Sequence, residues 1–424
     1  VNKLGLGRLV AESVVLILVC FAVYQYSVPR SFNTVYENRR FFDSDGEFIA
    51  RQFNAGSTFT HNDHLLYHVV ARTLHNHPHA LGLGTNPVRI HMFLSSLFGA
   101  LAVGLAYAAA FRLTGERLRS CAVALLCAVS AGWWFFSSTI DTYMPCMFFC
   151  LLSLALALGT FTHQSPLAHA GLGAAMGLAF LFRTDSFLLL PLGLVYLFPP
   201  NRRWRHVMAC ALTGLVVAAG GYALLAHSFY GVPFEAIPAW AVGGMGRPEA
   251  TVEQSWGQWA NLTPANMALA LVNQLFYTVL LPGLSDTRNV LFWHTYQAST
   301  WATFAFVFAS LSILFCRFTL AAWRAGNKTQ VQTRIVWGMV LLWVAARTLF
   351  YCWWDPFDPF LFAVMSLPVL WVAALCGSSA IALDEKSQRG RHGVAIWLFL
   401  VSAAVCFHNV AGMILPLRQL VATQ

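Results

Sequence analysis

Runs of about twenty mainly apolar residues, separated by short basic or aromatic turns, recur along the chain and constrain its fold more than any motif does. They lie near 9–28, 89–111, 119–137, 140–160, 206–228, 298–316, 335–352, 358–377 and 393–415. A further stretch, 167–199, is long enough for two spans and is broken by Arg183-Thr184-Asp185. Lipid offers the backbone no hydrogen-bond partner, so segments this apolar are predicted to be helical. The expectation is an all-α polytopic membrane protein with about 11 transmembrane helices, forming a single transmembrane domain over residues 1–424.

Composition supports this. Only 10% of the 424 residues are charged and 58% are hydrophobic, whereas a soluble domain carries about 25% charge. The net charge of +9 does not point to nucleic acid, because the basic residues sit in short clusters between apolar runs. These are Arg112/Arg117/Arg119, Arg202/Arg203/Arg205, Arg317/Arg324/Lys328/Arg334 and Lys386/Arg389/Arg391. Such clusters mark cytoplasmic loops under the positive-inside rule. The ten cysteines lie in or beside apolar spans with no CxxC spacing, as small buried hydrophobes do.

Sidedness follows from those clusters. With Lys3 and Arg8 inside, the first span is an uncleaved helix with a cytoplasmic N-terminus, and segment 29–88 lies outside. Segment 229–297 is then also outside, provided the moderately apolar 266–284 region is re-entrant or interfacial rather than spanning. Arg183-Asp185 and the Asp355/Asp358 turn fall on the same outer face. Connections this long are usually functional or disordered, and their density of Trp, Tyr and Phe argues against disorder. Any active face is therefore expected to be the outer one.

The first outer loop carries Asp43-Ser44-Asp45-Gly46-Glu47, and Phe48, Ile49 and Phe53 follow as the apolar face of a short amphipathic helix. Ser44 and Glu47 form a capping box, which accounts for both without chemistry. Asp43 and Asp45 are left over. Three carboxylates within five residues repel one another, which raises at least one pKa and suits a general base. Candidate catalytic residues are thus Asp43, Asp45 and Glu47.

Further along the loop, His61-Asn62-Asp63-His64 precedes Tyr67 and His68, and His64 and His68 stand one helical turn apart. That spacing could hold a metal with Asp63 or His61, but it is loose, and histidines at a headgroup boundary more often bond backbone or phosphate. No cofactor or metal is called for. Arg183 and Asp185 at the rim of the bundle read either as a functional pair or as an ion pair fixing a helical hairpin. Arg183, if free, could grip phosphate oxygens bidentately. Arg247 follows the Gly243-Gly244-Met245-Gly246 turn in the second outer loop, and Arg347 lies within an apolar span. An intramembrane arginine needs a partner, which could be Asp355, Asp358 or a lipid phosphate.

In the order of these features the chain resembles the GT-C superfamily of membrane glycosyltransferases. It is most similar to bacterial families like the protein O-mannosyltransferases. The residues that carry the likeness are Asp45-Gly46-Glu47-Phe48-Ile49, His61-Asn62-Asp63-His64-Leu65-Leu66-Tyr67, Arg183-Thr184-Asp185-Ser186 with Pro191, and Trp354-Asp355-Pro356-Phe357-Asp358-Pro359-Phe360 running to Pro368. The resemblance implies a GT-C-like fold and a bacterial inner-membrane enzyme that transfers a sugar from a polyprenyl-phosphate-linked donor to a protein or glycan acceptor. Transfer would occur on the periplasmic face with inversion. A first-loop Asp would be the base, and His61, His64, Arg183, Asp185, Arg247 and Arg347 would bind substrate. The Asn62-Asp63-His64 sequence departs from the family's Pro-Pro-Gly stretch. It keeps open the alternative of a catalytically silent structural subunit within a larger membrane complex. A transporter is disfavoured, because there are no matched broken helices.

Overall fold

The structure is a computed structural model that describes residues 3–27, 49, 62–77, 87–160, 165–189, 204–242, 259–272, 274, 279–280, 298–324, 328–354, 367–384 and 388–415. Among these residues the secondary structure is helical throughout, with no strand. The first span is α1 (Lys3–Ser27), and a short α2 (Leu65–Asn76) follows in the first loop. The bundle centre begins with α3 (Pro87–Thr114), α4 (Arg117–Ala128) and α5 (Ala131–Ser137). Next come α6 (Tyr143–Gly159) and α7 (Pro166–Phe182), then a 3-10 turn at Thr184–Leu189. A π-helical turn at Val216–Gly220 joins α8 (Trp204–Leu215) to α9 (Gly221–Tyr230), and α10 (Ile237–Val242) and α11 (Pro264–Val272) are short. The last four are α12 (Ala298–Trp323), α13 (Lys328–Trp354), α14 (Leu367–Asp384) and α15 (Gln388–Asn409).

Six of these helical segments are long and apolar enough to cross a membrane, or seven if α4 and α5 form one span. Shorter apolar helices at Tyr143–Gly159, Pro166–Phe182 and Leu367–Ala382 match three more expected spans. The second half of 167–199 continues past Leu189 outside the described residues. The lipid-facing surface is apolar, as a bundle in a membrane requires. Val14, Val15, Leu18 and Val19 on α1 are exposed, as are Leu212, Leu215 and Val216 around the start of the π turn. By contrast α3 is largely buried and packs against α1, α4 and α6.

The span expected at 119–137 is bent by 67° between α4 and α5. A break inside an apolar bundle strands backbone groups that lipid cannot satisfy. Other elements satisfy them here. Tyr24 donates to the Ala128 carbonyl at 3.0 Å, and Asn409 Nδ2 donates to Val129 O at 2.8 Å. The Ala131 N–H donates to Val279 O at 2.9 Å, and Asn409 Nδ2 also reaches that oxygen at 3.0 Å.

Val279 belongs to the second long connection. Among its described residues, helix α11 has 9 residues and spans about 14 Å. Asn261 Nδ2 donates to Trp353 O at the end of α13, and Gln274 Nε2 donates to Thr348 Oγ1 at 2.7 Å. These contacts hold Asn261 and Gln274 against the last turns of α13.

The two ends of the bundle differ in charge. One end, at Ser27, Tyr143, Phe182 and Trp354, carries the long connections and is called the loop end. The opposite end gathers Arg8, Glu12, Glu116, Arg117, Arg119 and Arg391.

Helices α7 and α8 pack closely because Gly173 of α7 faces α8, and Gly177 faces the π turn that follows it. A Cβ on Gly173 would sit 2.1 Å from Cys210 O, which is backbone and cannot turn aside. Small residues at such a crossing let backbones approach in lipid. Gly173→Leu is therefore expected to force the pair apart and to destabilise the protein by about 2 kcal/mol or more. Gly171→Ala is the control, since its Cβ meets only Leu156 Cδ1 at 4.0 Å. Thermal unfolding of the purified protein in detergent should show a lower Tm for the first and an unchanged or slightly higher one for the second.

Candidate active site

At the loop end three helices deliver charge to one buried point. Helix α7 stops at Arg183, whose N–H still bonds Ala179 O at 2.9 Å although its own backbone is extended. The following 3-10 turn folds Asp185 back onto it. Arg183 Nε donates to Asp185 Oδ1 at 3.2 Å, and Arg183 NH1 donates to Thr142 Oγ1 at 2.7 Å. Asp141 Oδ1 lies 3.9 Å from the same NH1, and the Tyr143 ring lies 3.8 Å below the guanidinium. From α13, Arg347 NH1 donates to Asp185 Oδ2 at 3.1 Å.

Asp185 thus bridges two arginines, one on each carboxylate oxygen. Arg347 is completely buried at 0% exposure, and Asp141 and Arg183 are at 3% and 8%. Among the described residues Asp185 faces both arginines and Asp141 faces Arg183, and pairing of this kind is how buried charge is tolerated. Burial by itself would raise the Asp185 carboxyl. The charges of Arg183 and Arg347, with their hydrogen bonds, outweigh it and hold the group below the usual carboxylate range.

The first loop is fastened to this cluster. The Thr184 N–H donates to Asp63 O at 2.9 Å, and Tyr222 OH donates to Asn62 O at 2.9 Å. Asn62 Nδ2 in turn donates to Trp240 O at 2.8 Å, so the second connection is tied in as well. Asp63 Oδ2 stands 3.4 Å from His64 Nε2. His64 and His68 are one turn apart on the start of α2, with ring centroids 6.2 Å apart and both side chains buried. Among the described residues no group of three or more His, Cys, Asp or Glu side chains could hold a metal ion. At the other edge of the loop, Ser27 Oγ accepts from Trp134 Nε1 at 2.9 Å.

The sequence-predicted residues therefore divide. Arg183, Asp185 and Arg347 come together, and His64 lies beside the same turn through Asp63. The structure supplies Asp185 as a partner for Arg347, an acid that the sequence analysis did not name for it. Asp43, Asp45, Glu47, His61, Arg247, Asp355 and Asp358 lie outside the described residues. Asp141 was missed, because it falls in the short turn between two apolar runs. It is the only acid between Glu116 and Asp185, and a lone acid among spans is a signal that could have found it.

Removing one partner of a buried ion pair leaves charge uncompensated and costs about 3–5 kcal/mol. Asp185→Asn should lower thermal stability on that scale. The pH dependence separates this from a packing defect. A depressed carboxyl contributes stability that is present above its unfolded value near 4 and is lost as pH falls through the lower folded value. The wild-type protein should lose stability below about pH 4, and Asp185→Asn should lose less over that window, as read by Tm against pH.

A family model described as dolichyl-phosphate-mannose-protein mannosyltransferase matches residues 82–224, which include Asp141, Arg183 and Asp185. No curated protein sequence matches the chain. Among solved structures the fold is similar to that of ArnT from Cupriavidus metallidurans. The undecaprenyl-phosphate-bound crystal structure aligns with a TM-score of 0.52 and 16% identity, covering 96% of this chain and 76% of that one. The apo crystal structure aligns with a TM-score of 0.55 and 13% identity, covering 96% and 78%. The chain thus shares a fold with ArnT over most of its length, and residues 82–224, about a third of it, match the mannosyltransferase family model.

Proposed function

We propose that this chain is an inverting glycosyltransferase that moves a sugar from a polyprenyl-phosphate-linked donor to a hydroxyl of a protein or glycan acceptor on the non-cytoplasmic face. One observation carries the reading. The described residues that bracket the acidic turn, Ser27 on one side and Asn62-Asp63 on the other, are both anchored at the end of the bundle that holds the Arg183–Asp185–Arg347 cluster. Support also comes from the names of the similar proteins, one a family described by dolichyl-phosphate-mannose and the other crystallised with undecaprenyl phosphate.

In this reading Asp43 or Asp45 takes the proton from the acceptor hydroxyl as its oxygen attacks the anomeric carbon. The bond from that carbon to the phosphate oxygen breaks on the opposite face, which inverts the centre, and polyprenyl phosphate leaves with the electron pair. Arg183 and Arg347 act as positioning residues, because both are engaged by Asp185. Arg247 is the candidate to meet the leaving phosphate. His61 and His64 flank the acceptor side, and the reaction needs no metal to balance.

A general base typically contributes 10²–10⁴-fold. In proteoliposomes supplied with a panel of undecaprenyl-phosphate-linked sugars, one of Asp43→Asn and Asp45→Asn is expected to lower release of undecaprenyl phosphate by about 100-fold or more. Wild-type turnover retained by both variants sinks the base assignment. Absence of transfer by the wild-type protein across the panel and in cell-surface glycan profiles favours the silent structural subunit instead.

A further inference from the structure

The basic end of the bundle holds a second polar site, separate from the Asp185 cluster. A cavity of about 380 Å³ opens there between the α3–α4 turn and the start of α15. Its polar lining is Glu116, Arg117, Arg119, Arg391 and His392, with Phe111 as an apolar wall. The turn is set by Gly115, whose φ of 71° lies in the left-handed region that glycine alone adopts easily. It closes α3 through a Gly115 N–H to Phe111 O bond of 2.8 Å and leads directly into α4.

Among the described residues that line the cavity, three arginines face one carboxylate, Glu116, and that carboxylate reaches them only loosely. Glu116 Oε2 stands 3.6 Å from Arg119 Nε, and Oε1 stands 3.9 Å from Arg391 NH1. Glu12 is shared between Arg8 at 3.0 Å and Arg117 at 3.4 Å. Arg119 is the informative residue. Its side chain is 5% exposed, yet its Nε makes no hydrogen bond, and NH1 reaches only Ser378 O at 3.5 Å. A buried guanidinium left this poorly satisfied is costly. The N-terminus of α4 adds to the positive potential, because the N-cap residue Glu116 makes no side-chain cap.

We infer that this cavity binds a phosphate group at the end of the bundle opposite the transferase site. Phosphate offers several acceptor oxygens to a guanidinium cluster and suits a helix N-terminus. The group could arrive as the head of an anionic phospholipid or as a soluble phosphate, and the recognition chemistry is the same for both. The inference does not depend on the transferase reading.

Purified full-length protein in an uncharged detergent would be titrated with inorganic phosphate, dihexanoyl phosphatidylglycerol and dihexanoyl phosphatidylcholine, with binding followed by calorimetry and by Tm. Saturable binding of phosphate itself identifies a soluble source. Binding of phosphatidylglycerol without phosphate or phosphatidylcholine identifies a lipid headgroup. Arg391→Ala, on a side chain that is 50% exposed, should fold normally and weaken either ligand about tenfold, equivalent to about 1.4 kcal/mol. Arg119→Gln should weaken it further, and Gly171→Ala, whose Cβ meets only Leu156 Cδ1 at 4.0 Å, should leave the affinity unchanged. No saturable binding of either phosphate-bearing ligand, or equal affinity in the wild-type protein and Arg391→Ala, overturns the inference.

Discussion

Charge buried within an apolar bundle has to be neutralised where it lies, and Asp185 does this for two arginines at once. One carboxylate oxygen accepts from Arg183 at the end of α7 and the other from Arg347 inside α13. Asp141, Thr142 and Tyr143 complete the coordination of Arg183 from the start of α6. Three helices that diverge in sequence are thereby held to one point. Their mutual attraction in a medium of low dielectric exceeds what the same groups would gain in water, so the cluster orients these ends strongly. The turn that carries Asp185 also receives the backbone of the first loop at Asp63. The described end of the first loop is therefore tied to this cluster.

A second constraint acts on the backbone. Lipid cannot solvate a broken helix, so a break survives only if protein groups replace water. At the α4–α5 bend these groups come from α1, from α15 and from the second long connection, through Tyr24, Asn409 and Val279. The bend and the inserted segment therefore support each other: Val279 O would have fewer donors without the freed Ala131 N–H, and Ala131 would have no acceptor without Val279. This exchange anchors residues from the second connection inside the bundle, while Asn62 and Trp240 join the two long connections at its edge.

The two ends of the molecule treat arginine in opposite ways. At the loop end Asp185 accepts from both Arg183 and Arg347 at hydrogen-bonding distance, and Thr142 accepts from Arg183, which favours positioning over direct ligand capture. At the basic end Glu116 is spread over Arg119 and Arg391 at distances too long for good hydrogen bonds. An arginine fork that is already filled shapes a site, and one that is unfilled invites an anion. The same residue type thus serves two purposes in one bundle, and the difference lies in how many acceptors the neighbouring helices bring.

Much of this was legible in the sequence. Hydropathy alone determined the helical class and most of the spans, because twenty apolar residues in lipid have no other stable backbone conformation. It also identified Arg183, Asp185 and Arg347 as unusual, because an ionisable residue beside an apolar run is expensive wherever it lies. What the sequence could not provide was the pairing. Asp185 and Arg347 are 162 positions apart, and only the packing of α13 against the 3-10 turn brings them together. The bend between α4 and α5 escaped for a related reason. Residues 119–137 read as one continuous apolar run, and the break depends on donors and acceptors from Tyr24, Val279 and Asn409. Local apolarity sets whether a segment enters the membrane. Tertiary structure decides which buried polar groups meet, because that choice rests on contacts between residues that sequence spacing leaves unrelated.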